Sequence, residues 1–336
     1  MKKTILIFLT LFFIFAAFFI YIFHKKTSEI YDGHNYPVKI EIKRGSSVSS
    51  ISRILSKNKI ISNYLFFKLY YKLFHRNTVF MSGEYLFDSP VSMKDVIEKM
   101  KKGDIFLYRF TIKEGMTIDE TAKFLERSNN IDYTEFIEAS KTISLINDID
   151  NKATDLEGYL FPETYFISKG TNSLTIVKTM VNRFKKNFSE SYRWRAKELG
   201  MTVRNIVTLA SLIEKETASR DERFLISSVF HNRLKIGMPL GCDPTVIYAL
   251  KLIGEYTGKL RWKDLKIDSP YNTRINRGLP PGPICSPGVD SIEAALFPEK
   301  TEFLYFVAKD SRTHYFSKTL KEHNWAVRKY ILKESR

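Results

Sequence analysis

The chain has 336 residues, a formal net charge of +16 and an aromatic content of 14%. This length suggests about two domains. The charge does not by itself indicate nucleic-acid binding, because lysine and arginine are scattered among acidic residues, without a long basic run or a zinc-finger spacing. It fits an ordinary solvated surface, or a protein that meets an anionic membrane surface or an anionic polymer.

Residues 4–23 form an unbroken apolar stretch. As a helix this stretch is about 30 Å long, which is the thickness of the hydrocarbon core of a bilayer. A cleaved signal peptide would end in small residues, whereas Ala16 and Ala17 are followed by further large apolar and aromatic residues. We therefore expect one uncleaved transmembrane helix, since no later stretch reaches spanning length. Basic residues flank both of its ends and give weak guidance on its orientation.

The next segment, residues 24–37, is polar, contains Gly33 and Pro37, and is expected to be a linker. Residues 38–127 then alternate strand and helix patterns and are expected to form a small α+β module. Its opening order of strand, glycine and serine-capped helix resembles the βααβ LysM-type module, which binds N-acetylated glycan chains. A strand followed by a capped helix recurs in many folds, so a spacer or packing module is an equally open alternative.

Longer helical patterns separated by glycine- and proline-rich loops occupy residues 128–336. Loops held by a helical scaffold are where binding and catalytic residues usually lie. The fold class expected for the whole chain is α+β. It comprises one N-terminal transmembrane helix, the small LysM-like α+β module, and a mainly helical, mixed α/β domain.

Two glutamates, Glu214 and Glu216, lie near the end of an apolar helical pattern that begins at Val203. Each lies one turn after an apolar residue, so both carboxyl groups project beside apolar neighbours and the periodicity does not distinguish them. Burial of this kind raises a carboxyl pKa and favours the protonated form that a general acid needs. The ordinary alternative for either glutamate is an ion pair with a basic neighbour, Lys215, Arg220 or Arg223.

Other catalytic arrangements are missing from the sequence, which has no G-x-S-x-G elbow, P-loop, G-x-G-x-x-G, H-E-x-x-H or kinase signature. Cys242 and Cys285 form no C-x-x-C pair and no metal-binding spacing with the six histidines. We therefore expect neither a metal nor a cofactor. Outside the cytoplasm the two cysteines have the option of forming one disulfide, which the sequence leaves open.

Eight motifs are distributed over the chain in a fixed order. They are LEGYLFPETY (156–165), ASLIEKET (210–217), ER (222–223), VFHNRL (229–234), GMPLGCDPTVIY (237–248), SPYNTR (269–274), GLPPGPICSPG (278–288) and HNWAV (323–327). In order and spacing, and together with the N-terminal anchor and the LysM-like module, they resemble the YceG-like, or MltG, family of bacterial membrane-bound endolytic murein transglycosylases.

The resemblance implies a reaction and a catalytic residue. The reaction is cleavage of the β-1,4 bond between N-acetylmuramic acid and N-acetylglucosamine within a glycan strand, which leaves a 1,6-anhydro end and terminates glycan elongation. The second glutamate of EKE, Glu216, is implied as the catalytic residue, and Glu214 as a supporting residue or as the alternative acid. In the family Gln-Thr precedes Asp-Pro-Thr, whereas this chain has Gly241 and Cys242. The substrate contacts at these two positions are therefore left open.

Polar side chains in and around the motifs suit sugar hydroxyl and N-acetyl groups. We expect seven of them to line the substrate groove: Asn232, Arg233, Asp243, Thr245, Tyr248, Tyr271 and Asn272. Structural capping or ion pairing is the alternative for each. Glu157 and Glu163 in LEGYLFPETY are expected to orient substrate, and the alternative for them is to accept hydrogen bonds from loop amides.

The resemblance also implies an orientation and partners. Because peptidoglycan lies outside the cytoplasmic membrane, residues 1–3 are expected in the cytoplasm and the bulk of the chain in the periplasm or outside. The expected partners are glycan strands, the membrane and peptidoglycan synthases of elongation or division, but no nucleic acid. Two alternatives remain at this stage: a non-enzymatic glycan-binding or division scaffold, and a muramidase that uses water.

Overall fold

The computed structural model describes residues 2–33, 36–217, 219–310 and 313–332. Two compact units are present: residues up to 108 together with 166–170, and residues 109–165 together with those from 171 onward. Helices predominate over short two-stranded sheets, which confirms the expected mixed α+β class. The domain limits expected from the sequence, with a module at 38–127, stay predictions.

The first unit begins with helix α1, Lys2–Ser28. Its segment Ile7–Ser28 is long and apolar enough to cross a membrane and fits a single anchor. Most of the described apolar side chains of this helix are exposed, with Phe8 at 71%, whereas Phe23 near its end is buried at 5%. The helix runs past the apolar stretch into residues 24–28 of the expected linker, because no glycine or proline interrupts it before Gly33.

The rest of the first unit is a β-α-α-β arrangement followed by one more helix. Its elements are β1 (Val38–Ile42), α2 (Val48–Lys57), α3 (Tyr64–Phe74), β2 (Gly83–Phe87) and α4 (Met93–Lys102). Strands β1 and β2 are antiparallel, with Val38 opposite Phe87. Side chains of Ser47, Asn63 and Ser92 accept backbone N–H groups at the starts of the three helices, as N-caps should. The sheet and helices enclose an apolar core that includes Leu55, Phe67 and Tyr85.

The elements that follow start with strand β3 (Tyr108–Thr111), which pairs with β4 (Thr164–Ile167). Strand β5 (Tyr305–Ala308) is antiparallel to β6 (His314–Ser317). The helices are α5 (Ile118–Asn129), α6 (Tyr133–Ala139), α7 (Ser173–Asn187), α8 (Glu190–Glu198), α9 (Val203–Glu216), α10 (Arg220–Lys235), α11 (Asp243–Leu252), α12 (Val289–Leu296) and α13 (Leu320–Ala326).

Helix α9 lies at the centre of the second unit. Every residue from Ile206 to Ile213 is at most 1% exposed, since α8, α10, α11 and α12 all pack against this helix. Thr202 and Asn205 form a capping box that begins the helix. The helix ends at Glu216, so its last turn holds the two glutamates at the edge of the core.

The loop that contains LEGYLFPETY is pressed against α9 at Gly158. This residue has a positive φ of 84°, and a Cβ atom there would lie 2.5 Å from a Pro283 side-chain carbon and 2.9 Å from a Val207 carbon. Glycine is therefore required for two independent reasons, the backbone conformation and the lack of space. Through this contact the loops 156–165 and 278–288 are held against the central helix.

We expect Gly158→Ala to lower the free energy of unfolding by about 3 kcal/mol, because it combines backbone strain with overpacking. Gly200→Ala is the matched control, since Gly200 also has a positive φ, 68°, but has nothing within 4 Å of an added Cβ. It should lower the free energy of unfolding by only about 1 kcal/mol. Urea unfolding of the full chain in detergent micelles measures both, and equal effects would contradict the steric argument.

Candidate active site

The structure separates the two glutamates of EKE by their partners. Glu214 is buried, with 7% of its side chain exposed, and pairs with Arg223 at 3.2 Å. Its other oxygen accepts hydrogen bonds from the backbone N–H of Gly288 at 3.0 Å and from the Ser291 hydroxyl at 2.7 Å. Ion pairing, the ordinary alternative, therefore describes Glu214. Its carboxylate links the last turn of α9 to the start of α12 and to α10.

Arg223 extends this link. Its side chain is 8% exposed and also lies 3.3 Å from Asp290 and 3.6 Å from Glu114. Burial raises the pKa of Glu114, and the nearby charge of Glu214 raises it further. One buried guanidinium thus lies between three carboxyl groups around the end of α9, and Glu214 belongs to this network of ion pairs rather than being a free acid.

Glu216 points instead into a cavity of about 480 Å³. The cavity wall is built from the end of α9, from α10 and α11, and from β5, β6 and α13. Besides Glu216, polar side chains in this wall are Arg233, Asp243, Arg274, Tyr305, His314 and His323. The elements around α9 therefore bring together two carboxyl groups, those of Glu216 and Asp243, and several basic or aromatic side chains.

The surroundings of Glu216 favour its protonated form. Burial is the largest effect and raises the pKa of this carboxyl, and the charge of Asp243 raises it further. The Cys242 thiol, which donates a hydrogen bond to it, and the positive charges of His314 and Arg233 lower the pKa only in part. The side chain is half-buried and faces the cavity, so a protonated carboxyl group is available to a molecule bound there.

Cys242, at the position where the chain departs from the family pattern, is a neighbour of Glu216. It is 1% exposed and precedes the first turn of α11, and its backbone N–H donates to the Thr273 hydroxyl at 3.1 Å. Burial and the adjacent Glu216 carboxylate raise the pKa of the Cys242 thiol, which stays protonated and able to donate. Cys285 is also a free, buried thiol, and it donates a hydrogen bond to the backbone carbonyl of Ser211 at 3.4 Å.

Two of the predicted groove residues line the cavity with Glu216. Arg233 donates from Nε to the Leu304 carbonyl at 2.7 Å and from Nη1 to the Leu240 carbonyl at 2.5 Å. Asp243, the first residue of α11, pairs with Arg274 at 2.5 Å. These contacts fix both side chains, and the aromatic ring of Tyr305 lies 5.5 Å from the Arg233 guanidinium.

Three other predicted groove residues hold the scaffold together outside the cavity wall. The Asn232 amide donates to two backbone carbonyl groups before β5, each at 3.0 Å. The Thr245 hydroxyl is fully buried and donates to the Cys242 carbonyl at 2.6 Å. Asn272 is also fully buried, and its amide donates to two loop carbonyl groups at 3.1 and 2.9 Å. Their contacts are structural capping, the alternative that the sequence left open for them.

A second, smaller cavity of about 240 Å³ is lined by Glu157 and Tyr248. The Glu157 carboxyl is 6% exposed and accepts hydrogen bonds from the Ile118 N–H at 3.2 Å and the Tyr248 hydroxyl at 3.3 Å. Burial raises the pKa of Glu157 to about 8. The Tyr271 ring lies 5.0 Å from that of Tyr248. These three predicted residues therefore form a group apart from Glu216.

Glu163 lines neither cavity. It forms an ion pair with Arg183 of α7, and 31% of its side chain is exposed. Other residues that surround Glu216, among them His314, were not predicted from the sequence. His314 is oriented by Glu222, whose carboxylate accepts the His314 backbone N–H at 2.7 Å and lies 2.6 Å from its Nδ1. The only sequence signals were the ER motif, which contains Glu222, and HNWAV, which begins with the cavity residue His323.

Comparisons with known proteins agree with one another. The sequence profile of the YceG-like family matches residues 40–329. An endolytic murein transglycosylase of Bacillus subtilis (strain 168) is 39% identical over 310 residues, which are 88% of this chain and 85% of that protein. One of Streptococcus pneumoniae serotype 2 is 31% identical over 324 residues, again 88% of this chain but 58% of that protein.

A solved structure shows the same relationship. The crystal structure of a YceG-like protein of Listeria monocytogenes superposes with a TM-score of 0.59 at 37% sequence identity. The superposition covers 86% of this chain and 98% of that one.

Proposed function

The chain belongs to the YceG-like family, and we propose that Glu216 carries its reaction, the endolytic cleavage of peptidoglycan strands by transglycosylation. One observation carries this assignment. Of the two glutamates in EKE, Glu214 is paired with Arg223, whereas the Glu216 carboxyl group faces a cavity and has a raised pKa. The names of the relatives supply the reaction class, that of a lyase acting on murein.

In the proposed mechanism, protonated Glu216 donates its proton to the glycosidic oxygen between N-acetylmuramic acid and N-acetylglucosamine. The bond from that oxygen to the muramyl C1 breaks, and an oxocarbenium-like centre develops at C1. The Glu216 carboxylate then takes the proton of the muramyl C6 hydroxyl as its oxygen bonds to C1. The products are a 1,6-anhydro end and a free N-acetylglucosamine hydroxyl, and the protonated acid is restored without consuming water.

This route needs one acid, and the cavity wall is suited to it. Most glycosidases use two carboxyl groups, one as acid and one as base or nucleophile. The other carboxyl group in the wall, Asp243, is engaged in an ion pair with Arg274, which leaves Glu216 as the proposed proton donor. Arg233 lies near Glu216, and its positive charge stabilises the Glu216 carboxylate between the two proton transfers.

The elements β1 to α4 of the first unit are proposed to belong to the LysM-like module, expected over residues 38–127, that binds glycan chains. Its β-α-α-β order, with β1 antiparallel to β2 around one apolar core, supports this proposal. We further propose that α1 is a single membrane anchor with the short N-terminus in the cytoplasm. The bulk of the chain then lies on the side of the substrate, where it terminates nascent strands beside peptidoglycan synthases. The apolar helix and the reaction class support this orientation.

Glu216→Gln should lower the release of anhydro-ended fragments from purified sacculi by at least about 100-fold, because the variant lacks the proton donor. Mass spectrometry of the products measures this, and urea unfolding shows whether the variant remains folded. Glu214→Gln is the control: it weakens the pair with Arg223 and lowers stability, but should keep the rate per folded molecule. Activity in folded Glu216→Gln contradicts the assignment, and reducing ends from the wild type would identify a hydrolytic muramidase.

Changes at Cys242 should move the pH dependence of the reaction in opposite directions. The Cys242 hydrogen bond lowers the pKa of Glu216, and the reaction requires its protonated form, so activity falls as pH rises through that pKa. Cys242→Ala removes the hydrogen bond and raises the pKa of Glu216. It should therefore shift the alkaline limb of the pH–activity curve, the range in which activity falls as pH rises, to higher pH. Cys242→Ser supplies a stronger O–H donor and should shift it to lower pH. Cys285→Ala, at the other buried thiol, should leave the limb in place; identical limbs in all variants would contradict the proposed contact.

Hydrogen exchange of the full chain in detergent tests glycan binding by the first unit. Oligomers of N-acetylglucosamine should slow amide exchange within residues 38–87 if this unit is a LysM-like binding module. A glucose oligomer of the same length is the control, since it lacks the N-acetyl groups. If exchange is slowed only in residues after 109, the module does not bind glycan chains and the alternative of a spacer module is supported.

A further inference from the structure

Helix α3 carries a stripe of exposed apolar side chains that the core of its unit does not use. Leu65, Leu69 and Leu73 are 58%, 41% and 55% exposed. They are spaced four residues apart and therefore lie in a row along one face of the helix. Phe67, on another face, is fully buried in the core. The exposed row, which we name the leucine stripe, is thus additional to what folding of the unit requires.

The leucine stripe lies next to the end of α1. Phe23 of α1 contacts three aromatic residues of α3, with ring centroids 4.7 Å from Phe66, 5.9 Å from Tyr70 and 5.7 Å from Phe74. At 100° per residue, Phe66 and Tyr70 follow Leu69 and Leu73 around the helix. The face of α3 that binds α1 therefore borders the leucine stripe.

The C-terminal end of α3 reaches back along the apolar part of α1. An apolar cavity of about 320 Å³ is lined by Phe19 and Ile20 of α1 together with Leu73 and Phe74 of α3. Phe19 and Ile20 belong to the apolar stretch 4–23, and Phe74 is itself 61% exposed. When α1 spans a bilayer, this end of α3 lies at the level where the helix leaves the hydrocarbon region.

The charges beside the leucine stripe fit an anionic bilayer surface. Lys68 and Lys72 are exposed and lie on the side of the stripe away from the aromatic residues. Lys25 and Lys26 follow the apolar stretch in α1. An apolar face bordered by lysines is typical of a helix that lies in the plane of a membrane interface, and each lysine adds attraction to anionic lipids.

We propose that the leucine stripe of α3 is a membrane-contact surface that rests on an anionic phospholipid bilayer beside the anchor. The inference depends on the proposed anchoring by α1. It gives the anchored protein a second contact with the membrane, which adds to the packing of α1 against α3 in holding the first unit at the lipid surface. The large exposed side chains of α3 then have an apolar environment.

The test uses the full chain reconstituted in vesicles that contain phosphatidylglycerol and lipids with a quencher in the upper acyl chain. A single environment-sensitive label is placed at Leu69→Cys, at Phe15→Cys within the anchor, and at Arg53→Cys on the exposed surface of α2; the two native thiols are buried. We expect quenching at positions 15 and 69 and little at position 53. Quenching at position 15 without quenching at position 69 would overturn the membrane contact of the leucine stripe but not the anchoring by α1. No quenching at position 15 would overturn the anchoring itself.

A second measurement tests the lipid charge and the nature of the partner. Lys68→Glu combined with Lys72→Glu should reduce quenching at position 69 in anionic vesicles, and Lys57→Glu with Lys59→Glu near the end of α2 should not. A label at position 69 that is exposed in vesicles but shielded in native membranes would identify a protein as the occupant of the stripe and would overturn the lipid assignment.

Discussion

The burial of the central part of helix α9 is the constraint on which the catalytic arrangement depends. Eight successive residues, Ile206 to Ile213, have almost no exposed surface, so the carboxyl groups of the last turn adjoin an apolar core that disfavours their charged form. Each carboxyl group there must either find a charged partner or remain protonated. Glu214 finds Arg223, and Glu216 does not have a comparable partner. Two residues of the same type, two positions apart, thereby acquire different chemistry.

The structural role of Glu214 supports the chemical role of Glu216. The pair with Arg223 and the bonds to Gly288 and Ser291 tie α10 and the start of α12 to the end of α9. Arg233, further along α10, is held in turn by two carbonyl groups and reaches the cavity. The charges that surround Glu216 are therefore positioned by contacts made elsewhere, and little rearrangement is needed when its proton moves. The proposed reaction requires only one preorganised acid, because the nucleophile is the C6 hydroxyl group of the substrate itself.

Local signals made much of the fold predictable from the sequence, because they act within a few residues. The side chains of Ser47 and Thr202 cap helices that begin where the serine-capped pattern and the apolar pattern from Val203 predicted them, and the apolar N-terminal stretch is helical. The choice between Glu214 and Glu216 was different. Both have apolar neighbours one turn away, and what separates them is Arg223 on the next helix and Ser291 more than seventy residues later. Periodicity contains no information about such contacts.

The predicted groove residues illustrate the same limit within a single motif. GMPLGCDPTVIY was interpreted as lining one groove, yet Asp243 faces the cavity of Glu216 and Tyr248 faces that of Glu157. Both residues lie on α11, where five positions correspond to a rotation of about 140° and a rise of about 7.5 Å. Thr245, between them, points into the core. On a helix, only members of a motif that are three or four residues apart share a face, so Asp243 and Tyr248, five residues apart, reach different cavities.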